Sequence, residues 1–287
     1  MSPALGTASR ITLGALGLIV AAAVILFAIG SSRVSTRYST AFDHVTVVAD
    51  SASVALGDYL TKTNGCTNCH GADLSGMVRV DAPPFRIVAT NLTSGAGGVG
   101  SLYTDDDFVR AIRHGVRPDG RGLYMMPSSA YWAYSDLEIS AIVAYLRTVP
   151  AVDNALGTTE IKALGRLIAA VDKGFTSEAA LIDPTRVRPA MPAFGPTAEW
   201  GEYRTQVLCS HCHGMDLRGG KHPDPAAPPG LSLESVKGWS VDQFVHAMRT
   251  GMTPDGRTLN VNYMPWKSIG QMTDEELTAI WLRLQQL

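Results

Sequence analysis

The sequence predicts a mainly helical chain, in which one N-terminal membrane-spanning helix precedes two similar small helical domains. Three observations lead to this fold class. A long uncharged apolar run lies near the N-terminus, an internal repeat occupies most of the remaining chain, and each copy of the repeat closes with the pattern of a capped amphipathic helix. At 287 residues the chain is long enough for two small domains beside the membrane segment.

The membrane segment is assigned to residues 11–30, after an N-terminal stub of residues 1–10. The uncharged run extends from Ile11 to Ser32, and about 20 apolar residues are enough for a helix to cross a bilayer. A cleaved secretion signal is the alternative, because Ala28-Ile29-Gly30 offers a small-x-small site. The apolar core of such a signal is normally shorter, about 7–15 residues, which favours a retained anchor.

The internal repeat is visible from its first residues to its last. One copy begins with Gly57-Asp58-Tyr59 and the other with Gly201-Glu202-Tyr203. Both close with a capping-box pattern, Ser135-x-x-Glu138 and Thr273-x-x-Glu276, followed by apolar residues at helical spacing. Further matched segments follow in the same order: Gly71-Ala72-Asp73-Leu74 with Gly214-Met215-Asp216-Leu217, Ala82-Pro83-Pro84 with Ala227-Pro228-Pro229, and Gly115 to Arg121 with Gly251 to Arg257.

The copies of the repeat set the expected domain boundaries. We predict a polar tether at residues 31–50, a first domain at 51–150, a linker at 151–195 and a second domain at 196–287. One short helix is expected in the linker, since four apolar residues share a helical face: Ile161, Leu164, Ile168 and Val171. This face is expected to pack against a domain, and a position on the membrane surface is the alternative.

Each copy of the repeat contains Cys-x-x-Cys-His, and the two motifs use all four cysteines of the chain: Cys66, Cys69 and His70, and Cys209, Cys212 and His213. This motif attaches c-type haem. The thiols bond to the haem vinyl groups, and the histidine ligates the iron. A four-cysteine zinc site would need all the thiols in one module, and a dithiol exchanger would need a βαβ context. The sequence therefore predicts two covalently bound haem c groups.

The second axial ligand of each iron should come from equivalent positions in the two copies. Met126 and Met264 lie at the same distance before the two capping boxes, and each precedes a proline. A methionine sulfur favours ferrous iron and raises its potential. Met125 is the alternative in the first copy. The remaining histidines have no counterpart in the other copy and are interpreted as ordinary polar residues: His44, His114, His211, His222 and His246.

Groups around the haem should orient it and its ligands. Backbone carbonyls near Pro83-Pro84 and Pro228-Pro229 are expected to accept the histidine N–H. Arg121 and Arg257 recur after Pro-Asp-Gly in both copies and would match haem propionates. A plain turn is the other interpretation of that segment.

With these motifs the chain resembles the class I c-type cytochromes, with two such domains in tandem. The stretch from Thr90-Asn91-Leu92-Thr93 through Arg121 to Met126-Pro127 resembles the cytochrome subunits of bacterial membrane-bound alcohol and aldehyde dehydrogenases, which typically carry three such domains. The chain is also similar to dihaem subunits of some haem–copper oxidases. The resemblance implies a small helical fold around each haem, and electron transfer as the work of the protein.

The expected function is a membrane-tethered dihaem carrier, or the cytochrome subunit of a dehydrogenase or oxidase complex, between respiratory or photosynthetic redox protein partners. Covalent haem attachment takes place outside the cytoplasmic membrane, so a single-pass inner-membrane protein with periplasmic haem domains is predicted. A net charge of −2 without a basic stripe argues against nucleic acid. The alternative function is a dihaem cytochrome c peroxidase, an enzyme that needs one iron with an open position.

Overall fold

The computed structural model describes residues 7–39, 42–183, 185–220 and 228–287, and within these ranges the chain is mainly helical, as predicted. Helix α1 spans Thr7–Val34 and extends beyond the predicted segment at both ends. Its apolar side chains are largely exposed, and Ile11–Val34 is long and apolar enough to cross a membrane, with a mean hydropathy of 2.7.

The first copy of the repeat folds around two crossing helices, α2 and α6. Its elements are α2 (Ser51–Thr63), α3 (Cys66–His70), β1 (Met77–Asp81), β2 (Phe85–Ala89), α4 (Asp105–His114), α5 (Ser128–Tyr131) and α6 (Asp136–Leu146). Gly57 lies at the crossing, where a Cβ atom would overlap the carbonyl oxygen of Ala141. The first glycine of the repeat motif therefore allows close approach of two helix backbones.

The second copy of the repeat has the same helical order. After α7 in the intervening segment (Ala163–Val171), its elements are α8 (Ala198–Leu208), α9 (Ser210–His213), a 3-10 helix (Leu233–Gly238), α10 (Val241–Thr250), α11 (Trp266–Ile269) and α12 (Asp274–Leu284). Gly201 lies where α8 crosses α12, and a Cβ atom there would overlap the carbonyl oxygen of Ala279. Gly57 and Gly201 thus have equivalent roles.

Both predicted capping boxes are present. Ser135 and Glu138 exchange side-chain and backbone hydrogen bonds at the start of α6, as Thr273 and Glu276 do at the start of α12. The predicted apolar stripe of each helix is buried to a large extent, and α6 is surrounded by protein along most of its length. Four orphan backbone donors at each helix start are thereby partly satisfied.

The tether and the linker are more ordered than their composition suggested. The backbone N–H of Tyr38 donates to Gly120 at 2.8 Å. In the linker, β3 (Glu160–Ile161) pairs antiparallel with β2 and completes a three-stranded sheet. A 3-10 helix at Glu178–Leu181 follows, and the buried Glu178 carboxylate accepts hydrogen bonds from Ser129. Both segments therefore pack on the first copy.

The predicted face of the linker helix is wrong at two of its four residues, since Ile161 is buried in β3 and Ile168 is half-buried. Leu164 and Val171 are exposed, whereas Gly165 and Ala169 are the buried residues of α7. The physical reason is the partner of this helix, since α7 packs against the end of α1. Gly30 of α1 contacts the backbone of α7 so closely that only small residues fit.

The two copies of the repeat share part of their core. One cluster of buried residues contains α2, α4 and α6 side chains of the first copy together with Trp200, Tyr203 and Val207 of α8. A second cluster belongs to the second copy alone and includes Phe244, Leu277 and Ile280. The shared cluster places α8 against the first copy.

Candidate haem centres

The four cysteines lie on or beside two short helices, and none of them forms a disulfide. Burial, followed by the charge of the neighbouring cysteine, raises the pKa of Cys66 and of Cys209 to about 12. No group of three or more His, Cys, Asp or Glu side chains that could hold a metal ion occurs among the described residues, so the zinc interpretation finds no support.

The two motif histidines are held in the same way. His70 Nδ1 lies 2.7 Å from the carbonyl oxygen of Thr90, and His213 Nδ1 lies 2.7 Å from that of Leu231. Because a carbonyl can only accept, Nδ1 carries the proton and Nε2 keeps its lone pair for a metal. Burial lowers the pKa of His70 and favours the neutral imidazole. These residues fit a covalently bound haem, which would supply one-electron redox chemistry.

The carbonyl predicted for His70 is the wrong one. Pro83 and Pro84 lie in the turn between β1 and β2, and the accepting carbonyl of Thr90 comes after β2 ends. The carbonyl predicted for His213 is confirmed, because Leu231 follows Pro228-Pro229 by two residues; Ala227 lies outside the described residues. In the first copy strand β2 separates Pro84 from Thr90, and motif comparison alone does not reveal that separation.

The Asp-Leu pair after each motif has a role that sequence reasoning missed. Leu74 and Leu217 are buried and have left-handed backbones, with φ of 59° and 61°. Each carbonyl accepts a 2.9 Å hydrogen bond from an equivalent residue, Leu92 in one copy and Leu233 in the other. Those donors come two residues after the carbonyls that hold the histidines. The repeated leucine thus places the histidine acceptor beside the motif.

The predicted methionine ligands occupy equivalent turns. Met126 and Met264 are half-buried and pack against the cores of their own copies. In each case the residue after the following proline donates its backbone N–H to the methionine carbonyl at 2.7 Å. Met125, the alternative, has a left-handed backbone with φ of 66°. The matched turns favour Met126 and Met264, and their assignment as iron ligands stays a prediction.

Of the other histidines that the structure describes, two are exposed and two are largely buried. His44 is exposed and pairs with Asp106 at 2.9 Å, and His246 is exposed. His114 is largely buried near Asp43, at 3.8 Å. His211 is also largely buried, because Ser129 and Glu178 surround it. His222 lies outside the described residues.

The two Pro-Asp-Gly segments form the predicted turns. Arg117 N donates to Arg121 O at 2.9 Å in the first copy, and Thr253 N donates to Arg257 O at 2.9 Å in the second. Both Arg121 and Arg257 have exposed side chains, and Arg121 lies 3.8 Å from Asp119. Their pairing with haem propionates stays a prediction.

The copies of the repeat exchange identical hydrogen bonds across their interface. The Tyr59 hydroxyl donates to Glu276, and the Tyr203 hydroxyl donates to Glu138. Each hydroxyl also accepts a backbone N–H at the start of the facing helix, at 3.2 Å for Thr273 and 2.9 Å for Ser135. The tyrosine of one copy therefore binds the capping box of the other, in both directions. Sequence comparison finds these residues as repeat markers but not as an interface.

A single buried cation lies at the centre of this interface. The guanidinium of Arg204 is 3.2 Å from Glu138, 3.6 Å from Glu276 and 2.7 Å from Asn64 Oδ1. Burial lowers the pKa of Arg204, but the two carboxylates outweigh this effect and the net pKa is raised. The arginine therefore stays charged and neutralises part of a buried acidic pair. Its equivalent in the first copy is Leu60, so the repeat itself gives no signal for it.

The two haem motifs also contact the opposite copy directly. Asn68, inside the first motif, lies 3.0 Å from Ser268 of α11. His211, at the matched position of the second motif, lies 3.3 Å from Ser129 of α5. Helices α5 and α11 are the ones that follow the two Met-Pro turns. Each motif thus adjoins the helix that follows the Met-Pro turn of the other copy.

Comparison with known proteins agrees with this class of site, that of a c-type cytochrome. Residues 54–150 match the family model of cytochrome c. The chain is 28% identical over 233 residues to the fructose dehydrogenase cytochrome subunit of Gluconobacter japonicus. The match covers 71% of this chain and 46% of that protein. It is 34% identical over 236 residues to the cytochrome c subunit of alcohol dehydrogenase (quinone) of Gluconobacter oxydans, covering 71% and 48%.

The match to a third relative covers a shorter part of both proteins. The cytochrome c subunit of gluconate 2-dehydrogenase from Pantoea cypripedii is 37% identical over 103 residues, which are 34% of this chain and 23% of that protein. The chain spans about half the length, or less, of the curated relatives it matches. It contains a cytochrome c domain and is a relative of the cytochrome c subunits of dehydrogenases. The predicted resemblance to c-type cytochromes is thereby confirmed, and the cytochrome c domain implies covalently bound haem c.

Proposed function

We propose that the chain is a dihaem electron-transfer subunit, tethered to the cytoplasmic membrane by α1, with both haem domains on the periplasmic side. It passes single electrons between redox protein partners. The observation that carries this proposal is the duplication of the whole site. The carbonyl-bound histidine, the left-handed leucine and the Met-Pro turn each occur twice, in the same order and with the same backbone hydrogen bonds.

The residues at each centre suit a carrier. Cys66 and Cys69 would hold one haem and Cys209 and Cys212 the other, with His70 and His213 as proximal ligands. Met126 and Met264 would supply the second ligand of each iron, so that neither would keep an open position for peroxide or oxygen. An iron held by histidine and methionine would keep its coordination when it gains or loses an electron, and this is what a carrier requires.

The interface supports electron passage between the two centres. Each motif adjoins the Met-Pro helix of the other copy, through Asn68 and Ser268 on one side and His211 and Ser129 on the other. The reciprocal tyrosine bonds hold the copies in one relative position. The relatives are named as dehydrogenase subunits, so the proposed electron donor is the catalytic subunit of a dehydrogenase.

Haem counting tests the proposal. The intact mass of the purified protein should exceed that of the polypeptide by two haems, and acid–acetone extraction should leave both attached. Replacing Cys209 and Cys212 by alanine should remove one haem, and the matched pair Cys66→Ala and Cys69→Ala should remove the other. A single haem in the native chain would refute the dihaem proposal.

Carbon monoxide binding tests the proposal that the protein is an electron carrier. The ferrous protein should bind carbon monoxide poorly, whereas Met264→Ala should open one iron and bind about one equivalent. Stoichiometric carbon monoxide binding by the native protein, accompanied by peroxide turnover, would instead favour the peroxidase.

A further inference from the structure

A cavity of about 360 Å³ lies where the apolar helix α1 ends. Val34 and Ser35 of the anchor form one wall, the Pro-Asp-Gly turn of the first copy forms another, and β3 with α7 forms the third. Three separate parts of the chain therefore converge at the point where the membrane segment gives way to the polar domains.

Helix α7 fixes the height of this cavity relative to the membrane. The backbone carbonyl of Arg166 contacts Gly30, which belongs to the uncharged run of α1. Arg33 is the first charged residue after that run, and its guanidinium donates to the carbonyl of Ala169 on α7. The α7 helix thus packs along the last turns of the proposed membrane segment, and Arg166 lies at the boundary between apolar and polar surroundings.

The cavity is lined by more cations than carboxylates. Its lining contains four cationic side chains and one carboxylate, that of Glu160; the cations are Arg117, Arg121, Lys162 and Arg166. Arg117 and Arg121 both lie near the carboxylate of Asp119, and Lys162 pairs with Asp81 at 2.8 Å. The Arg166 guanidinium forms no ion pair with any residue in the ranges that the structure describes. An excess of positive charge therefore faces the cavity.

We propose that this cavity binds the phosphate group of an anionic phospholipid at the outer surface of the membrane, with Arg166 and Lys162 as its principal contacts. A guanidinium offers paired donors to phosphate oxygens, and an ammonium adds a point charge. Basic pockets beside membrane helices are suited to such head groups. The inference rests on the proposed anchor, because the lipid must reach the cavity along α1.

A haem propionate is the alternative oxyanion for this cavity. It would lie at the opposite end of the cavity from a lipid phosphate. Arg121 belongs to the turn that leads to Met126, so the propionate predicted above would lie at that end. Arg166 lies beside Gly30 and the end of α1, at the end that lipid would enter. Variants at Arg166 and at Arg121 therefore report on different ligands.

Native mass spectrometry of the full-length holoprotein in detergent tests the proposal. After delipidation, phosphatidylglycerol should be retained in preference to phosphatidylcholine. Arg166→Gln and Lys162→Gln should each lower phosphatidylglycerol occupancy by about fivefold, and Arg166→Lys should recover part of it. The matched control is Lys173→Gln, which removes an exposed cation just after α7 that does not line the cavity; its occupancy should be unchanged. Unchanged absorption spectra and unfolding temperatures would show that the variants fold.

Three results would overturn the proposal. Equal retention of the two lipids would deny selectivity for an anionic head group. Displacement of the lipid by millimolar inorganic phosphate would indicate a general anion site. Normal lipid retention by Arg166→Gln with a shifted haem potential would assign the cavity to a propionate. A native protein found to lack residues 1–32 would instead refute the proposed anchor. The haem count tests the dihaem proposal separately.

Discussion

Replacing Arg204 by methionine tests whether the buried cation joins the two copies of the repeat. Methionine keeps much of the apolar volume but removes the charge that lies between Glu138 and Glu276. All three side chains are almost fully buried. Removing one partner of a buried ion pair costs about 3–5 kcal/mol, which is a large part of the roughly 5–15 kcal/mol that stabilises a typical domain.

The assay is guanidinium unfolding of the ferric holoprotein, followed by tryptophan fluorescence. Arg283→Met is the matched control, because Arg283 pairs with Glu202, a residue of the same copy that is partly exposed. A partly exposed pair contributes about 0–1 kcal/mol. Adding Glu138→Gln and Glu276→Gln to Arg204→Met should recover much of the loss, since glutamine keeps the capping box and removes the uncompensated charges. If Arg204→Met costs no more than Arg283→Met, the interface does not depend on this cation.

Three further outcomes are expected. Met126→Ala should abolish about half of the weak red absorption band of S–Fe bonding, whereas Met125→Ala should leave the band intact; the reverse would exchange the two assignments. His114→Gln should flatten the pH dependence of stability. Burial lowers the pKa of His114 below its unfolded value of about 6.5. The unfolded state therefore binds more protons as pH falls, and native stability declines below about pH 6.5. An unchanged slope of unfolding free energy against pH would contradict this. Gly57→Ala should cost more than 1 kcal/mol by thermal or chemical unfolding, because its Cβ overlaps the facing helix, while Gly238→Ala, which meets nothing within 4 Å, should cost much less.

Repetition made much of the local structure predictable. The pairs of Ser or Thr with Glu three residues later predicted two capped helices, and the structure contains both boxes. The uncharged run predicted α1 to within a few residues at each end. These features depend on neighbours within one helical turn or on composition, so no tertiary information was needed. The linker helix was predicted but its buried face was not, because its partner was unknown.

The sequence by itself determined the two Cys-x-x-Cys-His motifs, the matched Met-Pro turns and the class of cofactor, because each of these is written in short segments of fixed spacing. Only the tertiary structure decided how the copies meet. The sequence marks Tyr59 and Tyr203 only as repeated residues and gives no signal for Arg204. Their contacts form because α2 and α8 bring them beside the capping boxes. The basic cavity arises in the same way, from charges far apart in the chain. The spacing of residues within a segment predicts the local structure of that segment, whereas contacts between distant segments depend on how the helices pack.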